Sequence, residues 1–183
     1  VEMCDSFAAP QQWWLLGLTG SLRNTPHLAA MRAAIGPIRP FESHLGRDIG
    51  MHWVPLDSLN PMATTNLRYY YGYRGTDDSG THLVTFIHSP RVQKGYLDIG
   101  WDDGVRVYLG DKIVLDALEF PANGKGMIRN DSLLIEKRIP VEIPAGRTRL
   151  TLTTMNVKRL WIYCVRFTDE HGVPLPDLKF RRE

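Results

Sequence analysis

Seven short stretches dominate the last two thirds of the chain, each alternating in polarity or rich in β-branched and aromatic residues. They are HLVTFIH (82–88), GYLDIGW (95–101), VRVYLG (105–110), KIVLD (112–116), LLIEKRIPVEI (133–143), RLTLTTM (149–155) and LWIYCVRFTD (160–169). Turn chemistry separates them at Ser89-Pro90, Asp103-Gly104, Gly110-Asp111, Pro144-Ala145-Gly146 and Glu170-His171-Gly172. Short strands with tight turns and no intervening helices bury their apolar faces only by stacking two sheets. The pattern therefore predicts an all-β fold, an antiparallel β-sandwich of jelly-roll type.

The first third is less regular. QQWWLLGLTG predicts an opening strand, and MHWVPLDS and LRYYYGYRG predict two more. TPHLAAMRAAIG predicts a short helix near the N-terminus, with Thr25 as N-cap, Pro26 at the first helical position and Gly36 closing it. No repeat or linker interrupts the chain. Its 183 residues suit one domain (1–183), with an N-terminal arm over 1–12, a core over 13–178 and a solvated tail over 179–183, KFRRE at its end.

Composition narrows the class. A hydrophobic content of 43% with 23% charged residues belongs to a folded soluble domain. Net charge is +2, from 22 basic and 20 acidic residues scattered along the chain, which argues against a nucleic-acid partner. No apolar run reaches the roughly 20 residues of a membrane span. VEMCDSFAAP has neither an initiator methionine nor the pattern of a signal peptide, so the chain reads as a processed protein or an excised domain. Cys4 and Cys164 lie near opposite ends; in an oxidising compartment they can pair, and otherwise both are thiols.

The order LLGLTG, HWVPL, HLVTFIHSP, LDIGWDDGVRVYLGDKIV, IPVEIPAGRTRLTLTT and LWIYCVRFTDEHGVPLPDL resembles the galactose-binding-like jelly-roll modules of secreted bacterial glycoside hydrolases, polysaccharide lyases and surface proteins. A more distant similarity is to the protective-antigen-type glycan-binding domain. The resemblance runs from Trp13 to Leu178 on short motifs. It implies a non-catalytic accessory module, secreted, periplasmic or on the cell surface, whose partner is a glycan or polysaccharide. Two departures stand out. The hairpin tip is Leu109-Gly110-Asp111-Lys112 where Asn-Gly is typical, and Trp101 stands where a small residue is commoner.

Two groups of residues carry candidate binding chemistry. The first is Trp101-Asp102-Asp103-Gly104. Asp102 and Asp103 offer oxygens for calcium, which needs about six to eight, so Asp77, Asp78, Asn123, Asn130 and Asp131 are further candidates. The similar acid pair of protective-antigen-type domains holds calcium against glycan. The alternative is a turn in which the aspartates accept backbone N–H groups and Gly104 takes a positive φ. The second group is RYYYGYRG. An extended strand places Tyr69, Tyr71 and Tyr73 on one face, flanked by Arg68 and Arg74, as a sugar platform, a core face or a protein interface.

Histidine and cysteine spacings contain no zinc box, and no nucleophile elbow or phosphate loop is present. Carbohydrate binding by a non-catalytic module is the leading expectation. A structural or assembly subunit, packing on a larger enzyme or on copies of itself, is the alternative. A polysaccharide hydrolase or lyase is the weaker one.

Overall fold

A computed structural model describes residues 7–19, 53–57, 64–71, 77, 79–118, 135, 137–157 and 160–183. The strands are β1 (Gln12–Thr19), β2 (Trp53–Asp57), β3 (Thr64–Asn66), β4 (Ser79–Ser89), β5 (Gln93–Trp101), β6 (Gly104–Leu109), β7 (Lys112–Ala117), β8 (Lys137–Ile143), β9 (Gly146–Asn156), β10 (Ile162–Thr168) and β11 (Lys179–Arg181). One short helix, α1 (Leu67–Tyr71), follows β3.

They form the two antiparallel sheets of a β-sandwich, as the alternation predicts. The larger sheet has the order β2-β1-β4-β9-β6-β7, and the smaller β3-β10-β5-β8. One edge of β4 is shared: β1 pairs with residues 80–84, and β11 with residues 86–88. The indole of Trp14 donates to the carbonyl of Arg182 at 2.7 Å, closing the seam between β1 and β11. The segment read as a solvated tail is therefore part of the sheet. Phe180 stacks on Phe167 of the opposite sheet, centroids 5.8 Å apart, and this core contact outweighs the charges of its neighbours.

Strand alternation builds the core between the sheets. Trp13, Leu15, Leu83, Ile87, Leu150 and Leu152 of the larger sheet meet Leu97, Ile99, Tyr163, Val165 and Phe167 of the smaller. Trp13 meets Tyr163 edge-on at 5.8 Å. Of the adjacent tryptophans, Trp13 enters this core, whereas Trp14 packs with Leu16, Trp53 and Val84 in a second cluster. That division follows from a period of two.

The predicted strands within the described residues are present, with one exception. LRYYY forms α1. Asn66 supplies the cap: its Oδ1 accepts the Arg68 amide at 3.0 Å, while the Leu67 amide bonds the Trp161 carbonyl at 2.8 Å. The predicted helix over 25–36 lies outside the described residues. So does Cys4; Cys164 is buried in β10. Among the described residues no helix is long and apolar enough to cross a membrane.

Candidate functional site

The Asp102-Asp103 corner joins strands that belong to different sheets. β5 lies in the smaller sheet and β6 in the larger, so the corner carries the chain across the sandwich. The Asp102 amide donates to the Ile162 carbonyl at 2.9 Å, extending the β5–β10 pairing by one bond. The Oδ2 of Asp103 accepts the amide of Val157 at 2.5 Å, tying the corner to the end of β9.

Positive φ falls on Asp103, at 68°, and not on Gly104 as the turn reading expects. Aspartate tolerates the left-handed region better than most residues, because its short side chain bonds nearby backbone. Gly104 is needed for space: a Cβ there would stand 2.6 Å from Cε and 2.8 Å from Cγ of Met155. In the β6–β7 hairpin, by contrast, Gly110 does take φ 61°, at the first of two loop positions, as a type II′ turn requires.

These contacts test the corner as a calcium site. One Asp103 oxygen is already an acceptor for an amide, and no group of three or more metal-binding His, Cys, Asp or Glu side chains exists among the described residues. Calcium takes about six to eight oxygens, so a site here needs further ligands from neighbouring segments. Of the other candidate ligands, Asp78, Asn123, Asn130 and Asp131 lie outside the described residues, and Asp77 is ion-paired to Arg68.

The tyrosine stripe does not form. Residues two apart on a helix point about 200° from each other, so Tyr69 and Tyr71 face opposite ways. Tyr71 stacks on the buried Trp161, centroids 5.7 Å apart, and its hydroxyl lies 3.0 Å from that of Thr81. Burial raises the Tyr71 phenol well above its ordinary pKa. Tyr69 is 79% exposed, and Tyr70, absent from the expected stripe, is 45% exposed. The Tyr70 ring stands edge-on to Tyr71 at 5.3 Å. Tyr73 and Arg74 lie outside the described residues.

Register places α1 and the corner at the same end of the sandwich. Trp101 pairs with Tyr163, which pairs with Thr65 of β3 on its other side. Asn66 pairs with Ile162, whose carbonyl holds the Asp102 amide, and α1 starts at the next residue. Trp101 is half-buried against the core. That end thus combines two outward tyrosines on an anchored helix, a half-buried indole and the Asp102 carboxyl group. Planar rings offer faces for the C–H surfaces of a ligand, and a carboxylate accepts hydroxyl hydrogen bonds.

Two charged networks on the outer faces were not visible in local sequence patterns. On the smaller sheet, buried Asp98 lies between Arg138 and Arg166, each at 3.4 Å, and accepts the Thr168 hydroxyl at 2.8 Å. On the larger sheet, the row Trp53, Leu16, His82, Thr153, Arg106 and Asp116 crosses six strands. Arg106 bonds Asp116 through two nitrogens, at 2.9 and 2.5 Å, and that hydrogen bonding raises its pKa. The Nδ1 of His82 lies 2.9 Å from the Thr153 hydroxyl, and burial lowers the imidazole to about 4.

No protein-family model, curated protein or solved structure matches the chain. Fold and site together define an antiparallel two-sheet β-sandwich.

Proposed function

We propose that this β-sandwich is a galactose-binding-like accessory module of a secreted or surface protein, and that it recognises carbohydrate without catalysing a reaction on it. The binding surface is the end of the sandwich where α1 meets the Asp102-Asp103 corner. One observation carries the reading: Tyr69 and Tyr70 are held outward on a helix whose inner face is fixed by the Tyr71–Trp161 stack and the Arg68–Asp77 ion pair. A helix anchored before a ligand arrives presents its side chains without the cost of ordering the backbone on binding. A sugar lies against the tyrosine rings, and Asp102 and Trp101 orient its hydroxyls. Asp103 serves the corner itself.

Affinity electrophoresis against a panel of neutral polysaccharides, followed by a glycan array, tests this. Retardation by at least one glycan, lost in Tyr69→Ala/Tyr70→Ala and weakened in Trp101→Ala, is the expected result. A wild-type protein that ignores every glycan, or a double variant that binds unchanged, removes the proposal.

A further inference from the structure

At the end of the sandwich opposite the corner, the outer face of the larger sheet is cationic. Register places Lys179 of β11, His88 of β4 and Arg147 of β9 in one row, and Arg181, Phe86 and Arg149 in the next. A shallow groove passes over the first row, lined by His88, Pro90, Arg91, Arg147, Asp177 and Lys179. Two of the acids here are ion-paired, Asp177 at 3.1 Å from Arg91 and Asp111 at 3.5 Å from Arg149, and a third, Glu183, brings its main-chain oxygen to 2.9 Å from His88 Nε2. Arg147 and Lys179 are exposed. On a chain whose net charge is only +2, such clustering makes a local positive field.

The spacing selects the ligand. Neighbouring strands are about 4.8 Å apart, and successive outward residues on one strand are about 6.7 Å apart. The cations therefore form a grid that several anionic groups along one polymer can meet together, whereas a single small anion reaches only one or two. The Arg147 guanidinium lies over the Phe86 ring, 3.9 Å from its centroid. That ring face is closed to a stacking base, which disfavours single-stranded nucleic acid. Charge without a free aromatic platform suits a sugar chain that carries acids.

We propose that this groove is a second binding site, for an acidic polysaccharide bearing carboxylate or sulfate groups, with Arg91, Arg147 and Lys179 as the contacting cations. The site is separate from the tyrosine end and does not depend on that reading. Its attraction is electrostatic and mostly solvent-exposed, so it weakens as salt shortens the screening length from about 10 Å at 0.1 M towards 3 Å at 1 M.

The test is retardation in gels containing polygalacturonate, dextran sulfate or neutral dextran, at low salt and at 0.5 M sodium chloride. Wild type, Arg147→Glu/Lys179→Glu and Lys94→Glu on the other sheet are run side by side. The expected result is retardation by one acidic polymer, abolished at high salt. It is weakened about tenfold or more in the Arg147/Lys179 variant and unchanged in Lys94→Glu. Retardation by polygalacturonate alone identifies carboxylate as the ligand group, and by dextran sulfate alone sulfate. Thermal melting checks that the exposed substitutions leave the fold intact. No retardation by either acidic polymer at low salt overturns the proposal. So does equal retardation of wild type and the Arg147/Lys179 variant, or tighter binding to poly(U) than to either polysaccharide.

Discussion

The carboxylate of Asp103 holds the Val157 amide while its own backbone sits at φ 68°, so two demands fall on one residue. Asparagine meets both, since its side-chain oxygen accepts the same bond and it tolerates the left-handed region. Asp103→Asn should therefore unfold in urea within about 1 kcal/mol of wild type, and Asp103→Ala should lose about 2–3 kcal/mol. Calcium ligation would reverse the expectation for asparagine, and calcium would then raise the melting midpoint, because a ligand bound only to the native state stabilises it. His82 makes a prediction of different form. Its folded pKa, about 4, lies below the ordinary 6.5, so the unfolded chain takes up a proton first as pH falls. The stability due to the neutral imidazole is whole above pH 6.5 and declines between about 6.5 and 4, by up to about 3 kcal/mol. Urea titrations at pH 7, 5.5 and 4.5 measure this, and the decline should be smaller in His82→Gln. Sequence spacing puts His82 and His88 on one strand face, as the structure does; it cannot show that only His82 is buried, because burial depends on what crosses that face.

At the scale of elements, α1 is where local pattern misleads. Three tyrosines in a row favour a strand by propensity, but Asn66 caps the first turn and the Trp161 carbonyl takes the Leu67 amide. The strand reading passed over the one local signal for this helix, Asn66, since asparagine just before an apolar residue is a common helix start. The partner, Trp161, lies almost a hundred positions away, and no window of local sequence contains it. The strands themselves were legible because alternation and turn residues are local. In the proposed function Tyr71 links this element to binding: it anchors the helix that carries the exposed rings of Tyr69 and Tyr70. Tyr71→Ala should cost about 2 kcal/mol in stability and weaken glycan retardation although Tyr71 is not a contact residue, whereas Tyr71→Phe, which keeps the stack, should retain binding and lose about 1 kcal/mol. Retardation gels and urea melts on both variants separate anchoring from contact.

Over the whole molecule, the sandwich is fastened by aromatic pairs that span the two sheets, Trp13 on Tyr163 and Phe167 on Phe180. The second pair depends on β11, whose three residues complete the edge of β4. Phe180→Ala should lower stability by about 3–4 kcal/mol in chemical unfolding, more than its position among charged residues suggests. The sequence of that segment shows one phenylalanine among four charges, and its burial follows from tertiary pairing alone. The crossing of the chain between sheets has a further consequence. Residues 12–19, 53–57, 79–89, 104–109, 112–117, 146–156 and 179–181 supply the larger sheet, and residues 64–66, 93–101, 137–143 and 162–168 the smaller. The two sets interleave along the chain, so a protease cut at the Gly110-Asp111 tip would leave two pieces that each hold strands of both sheets and neither sheet whole. The domain can be nicked there and stay together, but it cannot be divided into independent halves.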